Sequence, residues 1–227
     1  VKKLIKHIFK YESKIRLIHL SSVAVYGAKR YFGYNKIISE DSPCNPDDVY
    51  SKTKLKGDLL IKNMFKKNLK KKFSYTILRI SNVFGGEKKS NLFRFTIFSL
   101  KFGFWFKIFK DTKFNFVHIK DLAQVIVLIF SDLNTSKNKT YIVSDDCEQQ
   151  KLYEVYKKLK KKKIMNIKFS FSFLKFLTNY VPLPKKLLNF ILIISSRISY
   201  DNKKIKKELK YDPRHSIYKY IKIKTTE

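Results

Sequence analysis

Glycine is scarce in this chain of 227 residues, which has only Gly27, Gly33, Gly57, Gly85, Gly86 and Gly103. None of them falls after a strand at the spacing that lets a backbone wrap a pyrophosphate, so no dinucleotide fingerprint is present. Cysteine is scarcer still. Cys44 and Cys147 have no metal-knuckle spacing and are too few for a disulfide framework, which fits a reducing, cytoplasmic compartment. The four histidines, His7, His19, His118 and His215, lack ligand-spaced partners, and no metal site is expected. Long apolar runs are missing as well. Leu122–Phe130 falls short of the roughly 18 residues that a membrane span needs. The opening Val1-Lys2-Lys3 leads into a short amphipathic stretch rather than an apolar run followed by small residues, so neither a signal peptide nor an integral membrane segment is expected.

Acidic residues are also few, with 18 Asp and Glu against 50 Lys and Arg, for a formal charge of +32. Such a charge raises the question of nucleic acid. Only six of the basic residues are arginine, the side chain that reads bases and grips phosphates bidentately. Lysine keeps company here with abundant Ile, Asn, Phe and Tyr, a bias expected of an AT-rich genome. A solvated lysine surface is therefore expected, with no nucleic-acid partner. A weak attraction to phosphorylated ligands or anionic lipid stays open. The aromatic run Phe102-Gly103-Phe104-Trp105-Phe106 is expected in a lid or core helix rather than at a membrane.

What is present centres on residues 21–54. Ile15–Leu20 is mostly apolar and runs straight into Ser21-Ser22-Val23-Ala24-Val25-Tyr26-Gly27, the pattern of a buried strand ending in a turn. Asn45-Pro46-Asp47-Asp48 is turn chemistry, and the spacing then predicts a helix over 51–66 with Leu55, Leu59, Leu60 and Met64 on one face. Tyr50 and Lys54 lie one helical turn apart and project from the same side. A free phenol titrates near about 10, and a cation one turn away favours its charged form. The pair alone says little, because Tyr153, Tyr156, Tyr200, Tyr218 and Tyr220 also have a lysine four residues on. Only Tyr50 follows a strand that ends in paired serines.

Three later stretches join this one. They are Leu78-Arg79-Ile80-Ser81-Asn82-Val83-Phe84-Gly85, Phe116-Val117-His118-Ile119-Lys120-Asp121-Leu122-Ala123, and Asp201-Asn202-Lys203-Lys204-Ile205 with Leu209-Lys210-Tyr211-Asp212-Pro213. In this order, over about residues 15–215, the four resemble the extended short-chain dehydrogenases/reductases, the NAD-dependent epimerase/dehydratase group acting on nucleotide sugars. The resemblance implies an α/β fold. It would be a partial Rossmann-type doubly wound parallel sheet, its first strands and glycine-rich turn expected upstream of Val1, with a small, mostly helical substrate-binding part. Residues 1–86 and 116–147 would belong to the NAD(P)-binding domain, and residues 87–115 and 148–227 to the substrate-binding part. Without the glycine turn, a truncated, non-catalytic family member stays open beside an enzyme.

The resemblance also implies roles. Ser22, Tyr50 and Lys54 would be catalytic. Tyr50, Lys54 and Ser21 would touch NAD or NADP, with Lys54 on the nicotinamide ribose. Ser22 and Asn82 would touch a nucleotide-sugar substrate. The family's diphosphate-binding arginine is absent at Phe114-Asn115, so Lys113 or Arg197 would stand in for it. Arg79 and His118 are expected to be structural. Family 4,6-dehydratases carry an acidic pair directly after the serine, where this chain has Val23-Ala24. The implied reaction is therefore 4-epimerisation or keto-sugar reduction. Family members often form dimers through a four-helix bundle, to which the Lys52–Met64 helix could contribute.

Overall fold

Alternation along the buried strands sets the architecture. The computed structural model describes residues 15–67, 73–86, 104–107, 111–160, 165–184 and 195–226, with isolated positions between them. Strands β1 (Ile15–Ser22), β3 (Phe73–Ile80) and β7 (Lys139–Val143) form a parallel sheet in the order β1-β3-β7. Side chains at alternate positions face opposite sides of such a sheet. Ile15, Leu17, Tyr75 and Ile77 pack under helix α1 (Val49–Lys67) against Ile61 and Phe65. Ile18, Leu78, Ile80, Tyr141 and Val143 pack on the other face, against Leu122, Val125 and Ile129 of α2 (Ile119–Ser131) and Ile205 and Leu209 of α5 (Lys203–Leu209). A parallel sheet covered on both faces is the doubly wound arrangement expected from the sequence. Ile77 and Leu78 are fully buried, and truncating either to alanine removes contacts worth about 2–5 kcal/mol.

Smaller sheets stand beside this layer. Strands β4 (Asn82–Phe84), β6 (Lys113–His118) and β8 (Asp145–Glu148) pair in the order β4-β6-β8, with β6 and β8 antiparallel. The apolar run Phe116–Ile119 reads in the sequence as a strand that re-enters the main sheet layer. Its strand instead pairs with β4 and β8, and Phe114 and Phe116 anchor a separate aromatic core with Phe84 and Phe93. Residues 28–49, which read in the sequence as one long loop, also contain a strand. This is β2 (Asn35–Ile38), parallel to β10 (Arg197–Tyr200). Three of its four residues are exposed, so no alternation marks it in the sequence. Strand β5 (Phe104–Lys107) pairs with β9 (Met165–Lys168), where an aromatic lid or helix was expected. Leu152 and Val155, spaced for one helix face, lie on α3 (Gln149–Lys160), and α4 (Phe171–Tyr180) and α6 (Ile217–Thr226) are further helices. Residues 1–12 and 92–104 also read as helices from their apolar spacing; Lys3, Leu4 and His7 of the first and Phe93, Arg94, Thr96 and Phe98 of the second are helical, Phe104 opens β5, and most of the remainder lies outside the described residues.

His118 ends β6 and starts α2. Its Nδ1 accepts the Lys120 N–H (3.2 Å), an N-cap that satisfies one free donor of the helix. The His215 ring stacks on it, with centroids 4.6 Å apart, and His215 Nδ1 meets Asp121 Oδ1 at 2.6 Å. Burial, helped by His215 and Lys120 and opposed by Asp121, lowers the His118 pKa. The folded state therefore binds fewer protons than the unfolded state just below the ordinary histidine pKa, and stability rises with pH through that window. Unfolding monitored at several pH values should show stability falling as pH drops below about 6.5. His118→Asn keeps a capping side chain without a titrating ring, so it should flatten that fall.

Candidate active site

Tyr50, Lys54 and Asp58 are spaced by one helical turn along α1 and share a face. The helix begins with a reciprocal cap. Asp48 Oδ1 accepts the Ser51 N–H at 2.7 Å, and Ser51 Oγ accepts the Asp48 N–H at 3.0 Å. These bonds from Ser51 hold the Asp48 carboxyl below its ordinary range.

At the inner end of the face, Asp58 is buried. Its Oδ2 lies 3.1 Å from Arg79 Nε on β3, and its Oδ1 lies 3.4 Å from His19 Nε2 on β1. Burial opposes its charge, yet the His19 and Ser21 side chains and the Arg79 guanidinium outweigh that and lower its pKa. Arg79 also donates to Tyr26 Oη (2.7 Å) and the Glu40 carbonyl (3.3 Å), with its guanidinium 4.9 Å above the Tyr26 ring. Burial pushes the Tyr26 phenol up, so it stays a neutral donor and acceptor. Arg79 is thus structural, as expected, and Ser21 is buried beside Asp58.

One turn toward the helix start, Lys54 Nζ donates to the Leu20 carbonyl at 2.8 Å. This bond docks the helix face on the C-terminal end of β1, two residues before Ser22. It occupies one of three ammonium donors and leaves two free. The same ammonium lies 5.7 Å from the centroid of the Tyr50 ring. Tyr50 is 55% exposed, and its hydroxyl makes no hydrogen bond among the described residues.

Ser22 is half-buried where β1 gives way to a 3-10 turn over Val23–Tyr26. Its Oγ accepts the Ala24 N–H at 3.2 Å, so its own proton is free to donate. The turn closes at Gly27, whose φ is +76°, and a Cβ there would overlap the Asn45 carbonyl oxygen. Asp47 then takes the Ala28 and Lys29 N–H groups at 2.5 and 2.9 Å, tying the turn to the segment that opens α1.

The other expected residues gather elsewhere. Asn82 Nδ2 donates to the Asn115 carbonyl (3.0 Å), and Asn115 Nδ2 donates to the Ile198 carbonyl (2.9 Å). Lys113 pairs with Glu148 at 3.1 Å. Arg197 pairs with Asp111 at 2.5 Å, donates to the Gly33 carbonyl (3.3 Å) and lies 5.0 Å from the centroid of the Phe109 ring. Asn82, Lys113 and Arg197 thus form a second cluster on β4, β6 and β10, with both cations already facing a carboxylate. No hydrogen bond or ion pair among the described residues joins this cluster to Tyr50 or Lys54. The sequence reading missed Asp58, although its i+4 spacing from Lys54 was the available signal. It also missed Asp111, which nothing local marks.

The free Ser22 proton, the unpartnered Tyr50 hydroxyl and the two spare Lys54 donors fit the hydroxyl-rich nicotinamide ribose and a sugar oxygen. The glycine-rich cradle for a pyrophosphate is not among these 227 residues. Among the described residues, no group of three His, Cys, Asp or Glu side chains is placed to hold a metal ion.

A family model described as "NAD dependent epimerase/dehydratase family" matches residues 1–144. Among solved structures, a UDP-glucuronic acid 4-epimerase from Bacillus cereus in complex with NAD is 18% identical, with TM-score 0.63 over 91% of this chain and 57% of that one. A UDP-glucose 4-epimerase with UDP-glucose, from the hyperthermophile Thermotoga maritima, is 16% identical, with TM-score 0.65 over 98% of this chain and 66% of that one. A dTDP-glucose 4,6-dehydratase from Streptomyces venezuelae with NAD bound is 18% identical, with TM-score 0.61 over 93% of this chain and 59% of that one. The chain thus spans less than two thirds of the length of each of these three structures. No curated protein sequence matches it significantly.

Gly27→Ala should lower unfolding stability by about 1–3 kcal/mol in denaturant titrations, the cost of forcing a Cβ into a positive-φ turn against a carbonyl. A change within about 0.5 kcal/mol would mean that the turn between Ser22 and α1 is not held as described.

Proposed function

Since the chain belongs to the NAD-dependent epimerase/dehydratase family, we propose that it carries the acid–base site of a nucleotide-sugar 4-epimerase. The observation that supports this most is the Lys54 ammonium seated on the Leu20 carbonyl, with Tyr50 on the same helix face and Ser22 at the end of that strand. Tyr50 takes the proton from the sugar hydroxyl and later returns it. Ser22 donates its free proton to the same sugar oxygen as it gains carbonyl character. Lys54 turns its two spare donors to the ribose hydroxyls of NAD or NADP. The bound nicotinamide supplies the hydride acceptor and donor. Ser21 contributes from beneath, as part of the packing around Asp58.

Water elimination from the sugar is disfavoured in this reading. It needs a carboxyl group beside the serine, and Val23 there is buried while Ala24 spends its N–H on Ser22. A keto-sugar reductase is the second reading, because it uses the same three side chains. Asn82, with Lys113 and Arg197 once released from Glu148 and Asp111, is assigned to the sugar-nucleotide diphosphate. On this reading, residues 1–86 and 116–147 belong to the cofactor-binding part, and residues 87–115 and 148–227 to the substrate-binding part. A homodimer would use the outer face of α1, where Pro46, Leu55, Leu59 and Leu60 line a shallow groove of about 410 Å³.

The test uses the full-length protein with a panel of nucleotide sugars. Tyr50→Phe should cut turnover by about 10²–10⁴-fold while leaving the melting temperature unchanged. Near-normal turnover would refute the assignment. Net consumption of reduced nicotinamide by the wild type would favour the reductase, because an epimerase returns its hydride.

A further inference from the structure

From Val155 to Tyr200 the chain contains no Asp or Glu, but it contains ten lysines and Arg197. Helix α4 lies inside this acid-free segment. One side of it is fixed. Leu174 is buried, and the Phe171 ring packs at 5.2 Å from Phe32 and 5.1 Å from Phe109. That anchoring prevents the helix from rolling its other side inward. The other side carries Phe173, Phe176 and Tyr180, which are 53%, 55% and 75% exposed. These residues follow the i, i+3, i+7 spacing of one helical stripe. The Phe176 and Tyr180 rings sit 5.2 Å apart and form one exposed aromatic pair within the stripe. Val181 and Leu187 extend the exposed apolar surface beyond the helix, and Lys168 and Lys175 are exposed beside it.

We propose that this face rests on the surface of an anionic lipid bilayer, with the aromatic stripe of α4 at the headgroup–acyl boundary and the surrounding lysines among the lipid phosphates. An exposed aromatic stripe flanked by lysine is the chemistry of a helix that lies in the interfacial plane. No described helix is long and apolar enough to cross a membrane, so the contact is peripheral. A second copy is a poor occupant of this face. Two such faces would oppose Lys168 and Lys175 of one copy to those of the other, with no acidic side chain of this segment to pair with them.

The experiment is co-sedimentation of the full-length protein with vesicles of phosphatidylcholine alone and of phosphatidylcholine mixed with phosphatidylglycerol. The protein should sediment with the anionic vesicles only, and less as salt rises. The triple variant Phe173→Ser/Phe176→Ser/Tyr180→Ser should weaken binding by about tenfold or more at an unchanged melting temperature. If that variant fails to fold, Lys168→Glu/Lys175→Glu should lower binding by about 5–30-fold, at about 1 kcal/mol for each charge removed and more for reversal. Absence of sedimentation would overturn the proposal. So would unchanged binding of the triple variant, which would leave charge alone as the cause. A wild-type dimer that the triple variant splits would also overturn it, because the face would then lie between copies.

Discussion

The buried pair of Asp58 and Arg79 is the constraint on which the geometry around Tyr50 depends. Removing two charges from water costs several kcal/mol per ion, and taking away either partner would leave the other buried and uncompensated. Arg79 gives its Nε to Asp58 and its Nη1 to Tyr26 and the Glu40 carbonyl. Asp58 has His19 and Ser21 at its other edge. Five segments meet at these two side chains: β1, the 3-10 turn that follows it, the stretch after β2 that carries Glu40, α1 and β3. The rotation of α1 about its own axis is thereby fixed. One turn away, Lys54 finds the Leu20 carbonyl, and one turn further Tyr50 reaches solvent. A structural end and a chemical end thus share a single helix face.

Around this point the layers divide the work. The β1-β3-β7 sheet is packed by helices on both faces and supplies the strand end that carries Ser22. The second cluster, Asn82 with Lys113 and Arg197, sits on short strands that pair with distant parts of the chain. Its cations are held by exposed or half-exposed carboxylates, pairs worth little in water and easily exchanged for a phosphate. The first cluster is therefore stiff, and the second can be rearranged by a ligand.

The main sheet and its helices were legible because period-two and helical patterns coincide there with burial, as in Tyr75–Ile80 and Leu122–Ile129. Ser22, Tyr50 and Lys54 were legible only through the surrounding motifs, since the Tyr-Lys spacing recurs in so lysine-rich a chain. Strand β2 was not legible. Asn35, Lys36 and Ile37 are all exposed, and the pairing with Arg197–Tyr200 closes a very long loop that local propensity cannot register. The placement of Phe116 outside the main sheet was equally hidden, because an apolar strand looks the same whichever sheet receives it. Asp58 carries a visible i+4 spacing, but its partner Arg79 is fixed by tertiary packing alone.

The most direct measurement is the coupling free energy between Asp58 and Arg79. It comes from denaturant unfolding of the wild type, Asp58→Asn, Arg79→Met and the double variant. A buried pair that fixes α1 predicts a coupling of about 2–3 kcal/mol, with each single change costing about 3–5 kcal/mol. A coupling below about 0.5 kcal/mol would mean that the two side chains act independently. The helix face bearing Tyr50 and Lys54 would then owe its position to something else.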